Sequence, residues 1–143
     1  MPIELTPSQF DSKFSPIFEH VSAETGIEFD PDHFFPVWKS LMSSGIARTW
    51  ENDGCILGAL FAPDVFNGAI RALVHFWFSL PEARGTGRPK ELLDVFESAA
   101  SAGNCKNISI ASHVIASPHH LQEFFHRRGY SRSEIVFSKQ LHL

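Results

Sequence analysis

The chain is predicted to fold as one α+β domain over residues 1–143, and three observations carry that prediction. The first third places apolar residues at helical spacing, the middle holds three strand-like runs joined at turn residues, and the last part alternates strand with helix. At 143 residues the chain is long enough to bury a core without disulfide or metal staples.

Ile3 to Leu5 suits a short first strand. Thr6-Pro7-Ser8-Gln9 then reads as a helix start, with Thr6 as N-cap, Pro7 at the first helical position and Gln9 completing a capping box. Phe10, Phe14, Ile17, Phe18 and Val21 follow at helical spacing, and Gly26 can end that helix. Asp30-Pro31 opens a second helix carrying Phe34, Phe35, Trp38, Leu41 and Met42 up to Gly45, with Pro36 distorting its early turns. The aromatic stripes of both helices are core in the simplest reading. Ile46–Trp50, Cys55–Ala62 and Ala69–Leu80 then read as an antiparallel meander, with tight turns at Asn52-Asp53-Gly54 and near Asn67-Gly68. A third helix reaches Ala102 before Gly103, Asn107 to Ser112 is an apolar strand, and Ser117-Pro118 caps a fourth helix running to Gly129. Glu134 to Leu141 alternates apolar and polar residues and predicts a final half-buried strand.

The most telling stretch is Pro81-Glu82-Ala83-Arg84-Gly85-Thr86-Gly87-Arg88-Pro89-Lys90-Glu91-Leu92-Leu93, a loop between a strand and a helix. The first amides of a helix lack intrahelical acceptors, and the helix dipole adds partial positive charge there. Gly85 and Gly87 let such a backbone fold its amides into a concave nest for a phosphate.

This stretch resembles the pyrophosphate-binding segment of the GNAT superfamily of N-acetyltransferases, which usually reads Arg/Gln-x-x-Gly-x-Gly/Ala after Pro-Glu and before an apolar pair. Arg84, Gly87, Pro81-Glu82 and Leu92-Leu93 match in register, and Pro89 departs from the last position. The order of elements along the whole chain is also similar to that family, as is the ending of the fourth helix at Gly129-Tyr130. The resemblance implies a central mixed, mostly antiparallel sheet flanked by about four helices. The strand before the loop and the strand at 107–112 would splay apart as a cleft for acetyl-CoA.

The implied activity is transfer of an acyl group to a primary amine of a small molecule or a protein. Arg84, Gly85, Thr86, Gly87, Arg88, Pro89 and Lys90 would cradle the pyrophosphate, although Pro89 removes one amide donor. Backbone amides in the stretch from about Phe76 to Leu80 would polarise the thioester carbonyl, with Phe78, Ser79 and Leu80 as the cofactor-binding residues. His75, in an otherwise apolar strand, has two readings: a general base or a hydrogen-bonded core histidine. Glu82 suits a local cap or ion pair better than a base. The family's tyrosine acid aligns with Phe125, which cannot donate a proton, and its usual asparagine before that helix aligns with Pro118. His126, His119 or a water are the candidates left for that role, and Tyr130 stands where a packing aromatic is usual. Glu24, Glu28, Asp30 and Asp32 fall in the connection that lines the acceptor side in this family. An acidic rim there would favour a cationic acceptor, whereas a helix cap at Asp30 with the rest solvated explains the same residues. The alternative function is a CoA-binding, regulatory or phage-type structural protein with little catalysis.

Composition narrows the partners. A net charge of −4 argues against a general nucleic-acid or anionic-membrane binder. Cys55 and Cys105 form no CxxC pair and read as free thiols. Without a signal-peptide pattern or a membrane-length apolar run, a soluble cytoplasmic protein is expected, and exposed sheet edges are compatible with a homodimer. His113, His119, His120 and His126 cluster in sequence, and His119, Glu123 and His126 suit one helical face. They lack the tight HExxH pairing, so no metal is expected.

Overall fold

The computed structural model describes residues 1–111, 118–134 and 136–141, with residues 118–120 as backbone only. These fall in two compact units, Met1–Ala111 and Ser112–Leu143.

In the first unit, helix α1 (Pro7–Thr25) begins as its local chemistry dictates. The Thr6 amide donates to Gln9 Oε1 at 2.9 Å, the back-reaching half of a capping box, and Pro7 takes the first helical position. The helix runs through Pro16 and ends at Gly26, whose φ of 69° is left-handed and whose amide donates to Ser22 O. Helix α2 (Pro31–Ser43) is capped by Asp30, whose Oδ1 accepts from the Asp32 amide at 3.0 Å, and it too continues through its internal proline, Pro36.

Strand β1 (Ile3–Glu4) pairs with β2 (Ala47–Glu51), β2 with β3 (Cys55–Pro63), and β3 with β4 (Ile70–Ser79), all antiparallel. Strand β5 (Asn107–Ile110) joins β4 in parallel, so the five-stranded sheet is mixed and mostly antiparallel, in the order β1-β2-β3-β4-β5. Asp53 and Gly54 both have positive φ, 41° and 93°, which is the backbone a two-residue hairpin turn requires. The β3–β4 connection is wider than the tight turn expected near Asn67-Gly68. It spans 64–69, closed by the Asp64 amide on Ala69 O at 2.7 Å. The Asp64 and Asn67 side chains each accept from an amide two residues on, which bends the chain without a two-residue turn. Helix α3 (Arg88–Ala102) links β4 to β5 after a 3-10 turn at Pro81–Ala83.

Pairing register explains the layers. Ala47, Ile56, Leu60 and Phe76 turn to one face and pack with Phe10, Phe14, Ile17 and Phe18 of α1 and Trp38 of α2. Trp50 and Phe61 turn to the opposite face, where each meets Phe96 of α3 edge-on at 6.1 Å and the two meet each other at 6.4 Å. Fourteen phenylalanines are many for this length, and the α1–α2 face consumes most of those described: Phe14 alone contacts Phe10, Phe18, Phe29, Phe34, Phe35 and Phe76.

Along β4 the register breaks once. Gly58 faces Phe76 while its neighbour Ala59 faces Val74, which leaves His75 as an extra residue, a β-bulge. The bulge changes which residues face which layer. Before it, Ala72 and Val74 lie opposite Phe61 and Ala59, on the α3 side; after it, Phe76 and Phe78 lie opposite Gly58 and Ile56, on the α1–α2 side. The Phe76 ring lies so close over Gly58 that any Cβ at that position would collide with it.

In the second unit, α4 (Pro118–Arg127) ends in a Schellman motif. Gly129, at φ 89°, donates to His126 O, and Tyr130 donates to Phe125 O, with the Phe125 and Tyr130 rings 5.4 Å apart. The strand expected from Glu134 to Leu141 is not formed among the described residues there. Val136, Phe137 and Leu141 are exposed, so alternation along this segment is not matched by a buried face.

Candidate functional site

Three features converge after the bulge. Pairing of β4 with β5 ends at Val74 with Ile110, whereas its pairing with β3 continues to Ser79 with Cys55. From His75 to Ser79, β4 therefore has no strand partner on its β5 side among the described residues. The chain then enters the loop, and α3 begins at Arg88 with Gly87 as N-cap.

The loop is a series of short internal bonds that leave selected amides open. Ala83 donates to Leu80 O, Arg84 to Pro81 O and Thr86 to Ala83 O, while Arg88 N–H is taken by Thr86 Oγ1 at 3.2 Å. The amides of Gly85, Gly87 and Lys90 have no acceptor among the described residues, and Pro89 supplies none. Gly85 needs its glycine for a φ of 76°; Gly87, at φ −74°, has a backbone any residue adopts. Of the amides expected to face the thioester, that of Leu80 is occupied by Gly54 O at 2.8 Å, while Phe78 and Ser79 pair with Ile56 and Cys55 of β3 and have no strand partner on the β5 side among the described residues.

The β2–β3 turn supports this loop. Asn52, almost fully buried, donates to Arg88 O at 3.2 Å and to Glu91 Oε2 at 3.0 Å. Arg88, expected as a phosphate cation, donates to Asp53 O at 2.7 Å and sits 3.5 Å from its carboxylate. Asn52 and Asp53 read in the sequence only as turn formers; their service to a loop some 35 residues on has no local signature. Lys90 is exposed, and Glu82 is exposed with no ion pair among the described residues.

Arg84 is likewise engaged. Its Nε donates to Ser79 O at 3.2 Å and its Nη2 to Glu24 Oε1 of α1 at 2.8 Å. Glu24 is therefore not simply part of an acidic rim, and the Arg84 guanidinium holds its carboxyl below the usual carboxylate range. Asp30 acts as the α2 cap, leaving Glu28 and Asp32 exposed in the same connection.

His75 is not a core histidine. It is exposed at the bulge, its ring stacked on Trp38 at 5.5 Å and 18°, and Trp38 is itself fixed by its Nε1 donating to Thr49 Oγ1 at 2.9 Å. Two consecutive residues, His75 and Phe76, meet the same tryptophan because a bulge turns adjacent side chains to one side. His126 is exposed on α4 in the second unit, where Phe125 packs on Tyr130. His113 and the side chains of His119 and His120 lie outside the described residues. No helix among the described residues is long and apolar enough to cross a membrane.

No protein-family model and no curated protein matches the chain. Solved structures do. A ribosomal-protein-alanine N-acetyltransferase from Brucella melitensis biovar Abortus superposes with a TM-score of 0.73 at 14% identity, covering 99% of each chain. An aminoglycoside acetyltransferase from an uncultured soil metagenomic sample, in complex with sisomicin, gives 0.77 at 9% identity over 99% of this chain and 96% of that one. A predicted acetyltransferase with acetyl-CoA from Clostridium acetobutylicum gives 0.74 at 14% identity over 98% and 95%. The chain has the fold of the GNAT acetyltransferases. At these identities the likeness speaks for fold, and function must be argued from the site.

Proposed function

We propose that this GNAT-fold chain is an acetyl-CoA-dependent N-acetyltransferase acting on a primary amine of a small molecule or protein. The observation that carries the reading is the bulge at His75: the described pairing of β4 with β5 ends beside it, at Val74 with Ile110, and β4 runs on, with no partner on that side among the described residues, into a loop whose amides at Gly85, Gly87 and Lys90 have no acceptor among them. That donor set suits a diphosphate, because backbone amides at a helix start bind anions without desolvating a lone charge. Structural neighbours described as acetyltransferases, one with acetyl-CoA and one with the amine sisomicin, support the same reading.

Bound there, acetyl-CoA would supply a thioester carbonyl and a thiol leaving group. The chain's own part is to hold the diphosphate on the loop amides and to offer the β4 amides beyond the bulge to the carbonyl oxygen. His75 is proposed as the group that takes the proton from the acceptor ammonium: it is exposed, on the same strand, and its ring is held by Trp38.

Calorimetric titration with acetyl-CoA, desulfo-CoA and ADP tests the reading. Binding of all three is expected, with thiol release from acetyl-CoA alone when a primary amine is present. No binding at millimolar ligand would overturn it.

A further inference from the structure

Arg84 and Glu24 are 60 positions apart in sequence, yet their side chains meet at 2.8 Å beside the loop proposed to hold a diphosphate. Both side chains are nearly half exposed, so the pair contributes little to holding α1 in place. The guanidinium is nevertheless oriented at both ends, by Ser79 O on Nε and by the carboxylate on Nη2. A carboxylate bound in this way presents to arginine the same anionic oxygen that a phosphate would. Resting on the phosphate reading of the loop, we propose that Glu24 is an internal counter-ion that competes with the ligand's diphosphate for Arg84, and so sets the affinity of the site. Ligand phosphate and Glu24 exchange at one guanidinium; the Ser79 bond keeps that guanidinium aimed while they do. Arg88 differs, because its main partner is the Asp53 carbonyl, which tethers the loop to the β2–β3 turn.

The test is calorimetric titration of ADP into the full chain at low salt, for wild type, Glu24→Gln, Arg84→Ala and the double variant. Glu24→Gln should bind ADP about two- to fivefold more tightly, the range expected for releasing an exposed ion pair. In the Arg84→Ala background the same change should have no effect. Glu28→Gln removes an equal charge from the adjoining connection and should leave affinity unchanged, since Glu28 makes no ion pair among the described residues. Equal or weaker binding by Glu24→Gln, or an equal gain from Glu28→Gln, overturns the competition while leaving the phosphate site intact. Absence of ADP binding in wild type and Glu24→Gln alike overturns both.

Discussion

Cys55 and Cys105 differ in what surrounds their thiols. Cys55 has no exposed surface and lies opposite Ser79 in the sheet, whereas Cys105 is only half-buried. Burial pushes both thiols above the usual cysteine range, so both resist forming the reactive thiolate at neutral pH, and access decides the rest. Alkylation of the folded protein followed by mass spectrometry should therefore find Cys105 modified first, with Cys55 following only in urea. Equal native rates would mean that the β3–β4 end of the sheet opens far more readily than its packing implies. At this scale the sequence was legible where partners are neighbours. Thr6 with Gln9, Asp30 with Asp32 and Gly26 as a stop all follow from bonds between residues a few positions apart. The partners of Arg84 and Arg88 were not legible, because nothing in either segment encodes that Glu24 or Asp53 will arrive beside it.

The bulge in β4 is the element on which the arrangement turns. It allows one strand to give Ala72 and Val74 to the α3 layer and Phe76 and Phe78 to the α1–α2 layer. Deleting His75 would make Val74 and Phe76 neighbours opposite Ala59 and Gly58, a regular ladder in which both halves of β4 keep their faces. Such a deletion should therefore still unfold cooperatively. The substitution His75→Ala keeps the register and should melt near wild type while lowering turnover about 10²-fold or more, if it takes the amine's proton. A deletion variant that has lost cooperative unfolding would refute this account of the register. The run Ala69–Leu80 announced a strand but not its irregularity, since a bulge is a relation between two strands. The same limit explains the segment 134–141, whose alternating pattern called for a strand that the described residues do not form.

Over the whole first unit, one aromatic cluster joins both early helices to the sheet, and Phe14 sits at its centre with 1% exposure. Phe14→Ala should cost about 3–5 kcal/mol through lost transfer energy and an unfilled cavity. Against a typical total of about 5–15 kcal/mol, that is a large share. A lower urea midpoint at unchanged slope would confirm it; a shift under 1 kcal/mol, on the order of a surface change, would not fit. At the sheet's outer side, β1 pairs over only two residues before the chain turns into α1. Its Glu4 is clasped by Arg48 through two bonds, at 2.7 and 2.9 Å. So short and charged a border gives an incoming strand almost no ladder to extend. On that side the molecule carries its own protection against fibril growth, and concentrated solutions should not seed aggregates from β1.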